Sequence, residues 1–319
     1  MKIVVLDGYT ANPGDLSWDA FRELGDLTIY DRTPASETVA RAADADVALT
    51  NKVVFDAETL AALPNLRYVG VLATGFNVVD LKKAREQGVV VTNVPTYSAE
   101  SVVQSTFAHL LNLASSLAVN AAAVRDGAWS TAPDFTFTRA PLTELFGKRL
   151  GIVGFGTIGR RVAEVARAFG LDVVAFGPRL TVGSEPAPGV RAVSLDELFA
   201  TSDAISLHCP LTPSTKNLVD AERLSRVKTG AWLINTGRGP LLDEAAVAAA
   251  LASGKLGGVG VDVLSTEPPA PDNPLIGAPN CFISPHTAWA TLEARTRLLA
   301  VAAENLRAFA AGRPVNVVN

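Results

Sequence analysis

The chain has 319 residues, of which 48% are hydrophobic and 19% are charged, and its formal net charge is −4 at pH 7. This length predicts two domains with a core each, and the composition is typical of a globular protein rather than a disordered or fibrous one. The mild negative charge and the lack of a dense Lys/Arg cluster argue against nucleic acid and against an anionic membrane as partners, so a small-molecule ligand is expected.

The two cysteines, Cys209 and Cys281, lie in apolar, strand-like stretches without a CxxC spacing. The sequence therefore predicts buried free thiols, with neither a disulfide framework nor a metal site. The chain begins on a strand pattern without a leader sequence, and no apolar run reaches membrane-spanning length, so we expect a cytoplasmic protein.

Strand and helix patterns alternate over residues 2–94, which predicts a parallel sheet. The strand candidates are residues 3–6, 47–50, 68–72 and 89–92, and helical spacing occurs at 57–63 and 81–87. The loop after the third candidate contains Thr74 and Gly75. Because ligands gather at the carboxyl ends of parallel strands, this loop is a candidate substrate rim. An ordinary strand-to-helix turn, with Gly75 at a positive φ, is the alternative.

A helical pattern without proline runs from Ser98 to Gly127 and is apolar on nearly all sides. It predicts one long helix, buried between domains or against a second subunit. His109 has apolar neighbours and is interpreted as a core or interface histidine rather than a catalytic one. Residues 127–139 then read as an irregular arm whose aromatic side chains predict a homodimer contact. These side chains are Trp129, Phe135 and Phe137.

Residues 148–170, KRLGIVGFGTIGRRVAEVARAFG, join a strand, a glycine turn and the start of a helix. The apolar run at 150–153 is typical of a buried parallel strand, and helical spacing of apolar residues follows the glycines. Gly154, Gly156 and Gly159 have the GxGxxG spacing of a dinucleotide fingerprint. In that motif the first glycine allows a tight turn, the second admits a pyrophosphate and the third lets the helix approach the strand. A tight turn without a ligand is the alternative.

Further strand patterns follow the fingerprint, at residues 172–176, 204–208, 231–236, 259–263 and 282–284. With the strand before the glycines they make about six parallel strands, the size of a doubly wound nucleotide-binding domain. A capping box, Ser194-x-x-Glu197, predicts a short helix from Leu195. A last helical pattern runs from Ala290 to Ala310.

Three polar residues each follow an apolar strand pattern closely: Arg238 in INTGRGPLLD, Glu267 in VDVLSTEPP and His286 in ISPHTAWAT. The carboxyl edge of one parallel sheet would bring all three near a bound cofactor. Singly, they have ordinary interpretations as a solvated loop residue, a turn residue and a structural histidine. Together they match the reduction of a 2-oxoacid. The guanidinium would hold the substrate carboxylate, the imidazole would protonate the new alkoxide, and the glutamate would orient the imidazole and favour its protonated form.

The chain resembles the D-isomer-specific 2-hydroxyacid dehydrogenases over nearly its full length. The motifs that carry the resemblance are LATGFNVVDL, NVPTYSAESV, LGIVGFGTIG, LINTGRGPLLD, GVDVLSTEPP and SPHTAWATLEAR. Within this family it is most similar to the glycerate dehydrogenases, or hydroxypyruvate reductases, through TNKV, VLATGFNVVD, NVPTYS and HTAWAT. The resemblance implies reversible reduction of hydroxypyruvate or glyoxylate to D-glycerate or glycolate with NAD(H) or NADP(H).

The resemblance also implies an α/β fold of two doubly wound parallel-sheet domains. Residues 1–98 and 289–319 would form a discontinuous, flavodoxin-like substrate domain. Residues 99–288 would form a Rossmann nucleotide-binding domain inserted into it, and the protein would be a homodimer.

Carried over by motif position, the catalytic residues of the family fall on Arg238, Glu267 and His286. Asp262 is expected near the nicotinamide amide, and Trp289 near the mouth of the active site. Substrate-binding residues are implied at Asn51, Lys52, Ala73, Thr74, Gly75, Arg238, His286 and Trp289. Cofactor-binding residues are implied at Thr106, Gly154, Gly156, Thr157, Ile158, Gly159, Cys209, Pro210, Thr215, Thr236, Gly237, Arg238, Asp262 and His286.

One position departs from the family pattern. Where the family commonly has an aspartate at the end of the second nucleotide-domain strand, this chain has Gly177, followed by Pro178 and Arg179. Such a carboxylate binds the ribose 2′-hydroxyl of NAD and repels a 2′-phosphate, whereas Arg179 could pair with that phosphate. The sequence therefore predicts that NADP(H) is favoured over NAD(H). An enzyme indifferent between the two cofactors, with Arg179 in solvent, is the alternative.

Two other functions compete with this one. A D-3-phosphoglycerate dehydrogenase is a close rival, although such enzymes usually need additional cations for the phosphate. A non-catalytic, NAD-sensing corepressor or scaffold is a rival of another class, because one branch of the family serves mainly in that way. The sequence contains no peptide-binding extension of the kind a scaffold would use.

Overall fold

The structure is a computed structural model that describes all 319 residues. The chain forms two compact units: Met1–Ser98 with Trp289–Asn319, and Ala99–Ala288. The assignment of the first unit to the substrate and of the second to the cofactor stays a prediction.

Twelve strands make up the two sheets. They are β1 (Lys2–Val5), β2 (Asp26–Ile29), β3 (Val47–Thr50), β4 (Tyr68–Val71), β5 (Val90–Thr92), β6 (Arg149–Val153), β7 (Asp172–Phe176), β8 (Val190–Ala192), β9 (Ala204–Leu207), β10 (Ala231–Asn235), β11 (Leu256–Val261) and β12 (Cys281–Ile283).

Twelve α-helices and two short 3₁₀ helices, Ala35–Glu37 and Gly239–Leu241, connect the strands. The α-helices are α1 (Gly8–Ala11), α2 (Asp19–Arg22), α3 (Thr38–Ala42), α4 (Ala57–Ala61), α5 (Leu81–Glu86), α6 (Ala99–Ser115), α7 (Leu117–Arg125), α8 (Thr157–Ala168), α9 (Leu195–Thr201), α10 (Ala221–Arg226), α11 (Glu244–Ala252) and α12 (Leu292–Ala310).

The first unit contains a five-stranded parallel sheet in the order β2-β1-β3-β4-β5. This is the flavodoxin-like order of a doubly wound sheet. Its central strands β3 and β4 are buried along their whole length. The edge strand β2 is absent from the sequence prediction, because its sequence, DLTI, alternates exposed and half-buried residues and gives no continuous apolar run. Helix α12 begins at the N-cap Thr291 and contributes Leu298 and Leu306 to the core of this unit.

The second unit contains a seven-stranded parallel sheet in the order β12-β11-β10-β9-β6-β7-β8. The strand order reverses between β6 and β9, as in a Rossmann fold. This confirms the doubly wound fold class for both units. Six strands are predicted from the sequence and the seventh, β8, is three residues long, too short for a recognisable pattern. The capping box at α9 is present, since the Ser194 hydroxyl accepts a hydrogen bond from the Glu197 amide at 3.1 Å.

The prediction of one long helix from Ser98 to Gly127 is wrong. Helix α6 ends at Ser115, Ser116 has a left-handed backbone (φ 50°), and α7 continues at 65° to α6. Two side chains fix the break. The Asn112 side chain accepts from the Ala118 amide at 2.9 Å, and the Ser116 hydroxyl donates to the Pro141 carbonyl at 3.2 Å.

The predicted burial of this pattern holds for only part of it. Helix α6 has eight buried residues, whereas α7 has none. No single helix of the chain is long and apolar enough to cross a membrane; α6 and α7 pass that test of length and composition only when they are taken together across the bend.

The arm at residues 127–139 contains no helix or strand, as predicted. Within the arm, Phe135 is 89% exposed and Trp129 is 53% exposed. The Trp129 indole donates to the Phe135 carbonyl at 3.0 Å, which folds the arm upon itself.

The two cysteines are free and half-buried rather than fully buried. Desolvation raises the pKa of the Cys281 thiol to about 12, so it is protonated at neutral pH.

Candidate active site

The glycine turn between β6 and α8 has the shape that a dinucleotide fingerprint requires. Gly154 has φ +97°, and a Cβ atom there would lie 2.4 Å from the Cys209 backbone nitrogen. A Cβ atom on Gly159 would lie 2.1 Å from the Gly154 carbonyl oxygen. Any side chain at either position would therefore push the helix or the neighbouring strand end away.

Gly156 is different from the other two glycines. No atom lies within 4 Å of a Cβ atom added there, and α8 begins at the next residue, Thr157. The first turn of α8 carries no acidic side chain, and Gly156 provides no side-chain cap for the free amides. This end of α8, with Thr157 and Ile158, is thus open for an anion such as a pyrophosphate.

Other predicted cofactor residues lie on α6 and at the carboxyl ends of neighbouring strands. Buried Thr106 on α6 and Thr236 after β10 have their hydroxyl oxygens 3.1 Å apart. Cys209 follows β9 and contacts Gly154. The Thr215 hydroxyl donates to the Pro210 carbonyl at 2.7 Å and closes the loop between them.

Gly177 follows β7 beside the glycine turn. A Cβ atom on Gly177 would lie 3.8 Å from the Phe155 backbone nitrogen and 3.5 Å from the Leu180 side chain, which are ordinary contacts. Pro178 and Arg179 form the turn that follows, and both are exposed. This position thus has space for a side chain, although the chain has none there.

Arg238 lies on a loop after β10 whose backbone is fixed from within the sheet. The fully buried Asn235 donates from its side chain to the Arg238 carbonyl at 2.9 Å and accepts from the Gly237 amide at 3.0 Å. A Cβ atom on Gly239 would lie 1.9 Å from the Leu264 carbonyl carbon, so this loop packs directly on the segment that leads to Glu267. The Arg238 side chain is exposed. Sequence analysis did not identify Asn235, although INTGRG places it at the strand end.

Glu267 and His286 form the pair that the sequence predicts. The imidazole Nδ1 lies 2.5 Å from Glu267 Oε2, and Glu267 Oε1 accepts from the Leu264 amide at 3.0 Å. A carboxylate accepts hydrogen bonds and cannot donate them, so Nδ1 carries the hydrogen and Nε2 remains for another partner. The His286 side chain is 29% exposed and the Glu267 side chain is 34% exposed, so a ligand can reach them.

Asp262, at the end of β11, contacts the segment that carries His286. Its carboxylate accepts from the Ser284 hydroxyl at 2.6 Å, from the Thr287 amide at 2.9 Å and from the Ala288 amide at 2.9 Å, and the residue is 1% exposed. Its backbone carbonyl accepts from the His286 amide at 2.8 Å. The predicted place of Asp262 near the nicotinamide stays a prediction; its contacts within the chain orient the His286 segment.

The other two histidines have different environments. Burial lowers the pKa of His208 to about 4, and its Nε2 is 2.8 Å from the Ser206 hydroxyl. Burial also lowers the pKa of His109, while the charge of Asp262 opposes that shift. Both rings are therefore neutral at pH 7, and His286 is the only histidine paired with a carboxylate side chain.

The predicted substrate residues of the first unit lie in two loops at the carboxyl edge of its own sheet. The buried Asp7 accepts from the amides of Asn51 at 2.8 Å, Lys52 at 2.5 Å and Val53 at 3.2 Å. The Asn51 side chain donates to the Leu72 carbonyl at 2.7 Å and so links the two loops. Asp7 was missed by the sequence analysis, although it directly follows the strand pattern KIVVL.

The second loop of this edge contains Ala73, Thr74 and Gly75. The Thr74 carbonyl accepts from the Asn93 side chain at 2.7 Å, and the Ala73 carbonyl accepts from the Val94 amide at 3.0 Å. The predicted substrate residue Trp289 is half-buried. Its ring packs edge-to-face on Tyr97, with 6.3 Å between centroids, and contacts the core of the first unit.

Comparison with known proteins agrees with this geometry. A family model for the NAD binding domain of D-isomer specific 2-hydroxyacid dehydrogenases matches residues 107–288. A hydroxypyruvate reductase of Blautia hydrogenotrophica is 46% identical over 322 residues, which is 100% of both chains. A glycerate dehydrogenase of Methylorubrum extorquens is 40% identical over 284 residues, which is 88% of each chain.

Among solved structures, the acyclic imino acid reductase Bsp5 in complex with NADPH and D-Arg has a TM-score of 0.87 and 30% identity, with 100% of both chains covered. The family model covers more than half of this chain, and both relatives match most of its length. Residues 107–288 therefore match an NAD binding domain, and the resemblance inferred from the sequence motifs is confirmed. The chain belongs to the D-isomer specific 2-hydroxyacid dehydrogenase family.

Proposed function

We propose that this protein reduces hydroxypyruvate, and also glyoxylate, to D-glycerate and glycolate in a reversible reaction with a nicotinamide cofactor. The observation that carries the reaction type is the contact between Glu267 and His286 beside the Arg238 loop, at the sheet edge that contains the open glycine turn. The choice of substrate is supported by the relatives, which are named as a hydroxypyruvate reductase and a glycerate dehydrogenase.

The proposed reaction has three tasks, which are shared between two residues of the second unit and the cofactor. Arg238 binds the carboxylate of the 2-oxoacid, for which a guanidinium offers two parallel N–H donors. When bound, a nicotinamide cofactor would supply the hydride for C2 of the substrate. His286 donates the proton on Nε2 to the oxygen that becomes the hydroxyl, and in the oxidative direction it removes that proton.

Glu267 keeps His286 ready for this proton transfer. Its carboxylate accepts from Nδ1 and fixes the ring so that Nε2 is the free nitrogen. The loops at Asn51–Lys52 and Ala73–Gly75 are proposed to bind the remainder of the substrate. Their support is the family motif and the Asp7 contacts that hold one of them in place.

We also propose that NADP(H) is favoured over NAD(H). Gly177 provides no carboxylate to bind a ribose 2′-hydroxyl, and a 2′-phosphate would meet no negative side chain at this position. The exposed Arg179, two residues further on, makes no ion pair within the chain and offers a guanidinium to that phosphate. A structural relative bound to NADPH is consistent with this choice.

A homodimer is proposed from the exposed aromatic arm. The same unit also exposes other large apolar residues, among them Leu117, Leu142 and Phe146. Apolar area of this extent is usually covered by another protein surface. The expected cytoplasmic location stays a prediction.

The test of the proposed function is a steady-state assay with a panel of 2-oxoacids and both cofactors. Hydroxypyruvate should have the highest kcat/KM, glyoxylate should be reduced, and pyruvate should be poorer than hydroxypyruvate. A preference for 3-phosphohydroxypyruvate would instead support the phosphoglycerate dehydrogenase alternative. Absence of turnover with every 2-oxoacid, together with tight binding of the cofactor, would support the scaffold alternative.

A further inference from the structure

Helix α6 contacts the segment 284–288, which carries His286, at two separate points. The Ser101 hydroxyl donates to the Ala288 carbonyl at 2.5 Å, and His109 Nε2 lies 3.1 Å from the Ser284 hydroxyl oxygen. The helix can lie this close to β11 because Gly258 and Gly260 of the strand have no side chain. A Cβ atom on Gly258 would lie 2.5 Å from the Leu113 side chain, and one on Gly260 would lie 2.6 Å from the Cβ atom of His109.

The direction of each hydrogen bond in this group follows from the donors available. The Asp262 carboxylate can only accept, so the single hydrogen of the Ser284 hydroxyl points to Asp262 Oδ1, at 2.6 Å. The Ser284 oxygen must then accept from His109, which requires a hydrogen on His109 Nε2. Burial keeps the pKa of His109 below its ordinary value, so the ring is neutral and this hydrogen selects one of its two tautomers.

His286 needs such support because of its backbone. Its φ of 54° lies in the left-handed region, which is costly for a residue with a Cβ atom and persists only where surrounding contacts fix it. The Asp262 carboxylate provides these contacts through the amides of Thr287 and Ala288, directly after His286. The orientation of that carboxylate depends in turn on the Ser284 hydroxyl.

We infer that Ser284 and His109 are positioning residues for the proton transfer by His286. Neither acts on the substrate. His109 fixes the Ser284 hydroxyl, Ser284 fixes the Asp262 carboxylate, and Asp262 holds the backbone of the histidine segment in its strained conformation. The inference rests on the proposed function of His286 and extends it to helix α6, whose histidine the sequence analysis interpreted as a core or interface residue.

The test compares Ser284→Ala with Ser284→Thr, which keeps the hydroxyl. Ser284→Ala should lower kcat by about 10-fold, because small misplacement of a catalytic group is costly. Its Kd for NADPH, measured by fluorescence titration, should change by less than kcat does, because the glycine turn that is predicted to bind the pyrophosphate lies outside this hydrogen-bonded group. Ser284→Thr should restore most of the turnover.

Ser202→Ala is the matched control. Ser202 is a fully buried serine whose hydroxyl donates to the Leu198 carbonyl at 2.6 Å, before β9 and therefore at the opposite end of the sheet. This variant should lower the melting temperature as Ser284→Ala does and leave kcat unchanged. An equal loss of kcat in both alanine variants would show that general destabilisation is responsible and would overturn the inference.

A second pair of variants keeps the test decisive if Ser284→Ala does not fold. His109→Gln retains an N–H donor, whereas His109→Leu retains only the volume, so the glutamine variant should turn over faster than the leucine variant. Equal kcat in the two would overturn the inference.

A double variant separates this inference from the proposed function. Ser284→Ala should cause no further loss in the His286→Ala background, because Ser284 acts only through that ring. Additive losses would overturn the positioning role while leaving the function of His286 intact. Near-wild-type turnover of His286→Ala alone would instead refute the proposed function itself.

Discussion

Replacement of Glu267 by glutamine should lower the turnover of the reaction without abolishing it. The Glu267 carboxylate lies 2.5 Å from Nδ1 of His286 and orients the ring so that Nε2 is free for the substrate. Glutamine keeps an oxygen that can accept from Nδ1 and removes the negative charge. The hydrogen bond that orients the ring is then neutral and weaker, so turnover should fall.

The size of this loss follows from the difference between two hydrogen bonds. A hydrogen bond to a charged group contributes about 1.5–3 kcal/mol, and a neutral one about 0.5–1.5 kcal/mol. The side chains are about one third exposed, which places the difference near the low end, at about 1–1.5 kcal/mol. Since about 1.4 kcal/mol corresponds to a factor of about ten in rate, kcat should fall by about 10-fold.

The assay is kcat for hydroxypyruvate reduction at saturating substrate, with Glu244→Gln as the control. Glu244 also accepts two hydrogen bonds near this loop, from the Ser265 amide at 2.6 Å and from the Asn273 side chain at 2.8 Å. It makes no hydrogen bond to His286, so its variant should retain the wild-type kcat. Equal kcat for Glu267→Gln and the wild type would refute the proposed pairing. So would a loss of the same size in both variants.

The remaining predictions concern the other proposed roles. His286→Ala should lower turnover by about 10²-fold or more, as loss of general acid catalysis typically does, and near-wild-type rates would contradict its assignment. Arg238→Lys should remain strongly impaired because lysine keeps the charge but loses the planar fork, and equal kcat/KM for the two would exclude a bidentate contact. Arg179→Ala should weaken the binding of NADPH and not that of NADH, while Gly177→Asp should move the cofactor preference towards NADH. A higher wild-type kcat/KM with NADH, or equally weakened binding of both cofactors in Arg179→Ala, would refute the phosphate site. Light scattering at micromolar concentration should give a dimer mass, which Phe135→Ser should reduce, and a monomeric wild type would remove the dimer proposal.

Local pattern was sufficient for much of the fold and for the proposed catalytic group. Buried parallel strands read as short apolar runs, so β3 was predicted with its observed bounds and β4 to within one residue. The glycine turn was predictable because each glycine meets a local structural need. Gly154 has a positive φ, Gly156 leaves open space, and Gly159 lets the helix pack closely. The pairing of Glu267 with His286 followed from one rule, that parallel strands end at a common edge.

Features that depend on distant residues could not be read in the same way. The break at Ser116 was missed because one of its two supporting hydrogen bonds goes to the Pro141 carbonyl, 25 residues away, which no local pattern shows. The edge strand β2 lacks an apolar pattern because its side chains are only exposed or half-buried, and β8 is too short to show one although Val190 and Ala192 are buried. Asp7 and Asn235 support the site from buried positions, and only the hydrogen bonds they make distinguish them from other polar residues at strand ends.

The sequence by itself determined the two doubly wound sheets, the glycine turn and the residue types of the reaction, because these depend on short-range periodicity and on side-chain chemistry. Only the tertiary structure decided which groups hold that chemistry in place. His109 and Ser284 are 175 residues apart in the chain, and Ser284 and Asp262 are 22 apart, yet they form one line of hydrogen bonds to the His286 segment. These hydrogen bonds form only after α6 packs on the glycines of β11, because only the folded chain brings their donors and acceptors together.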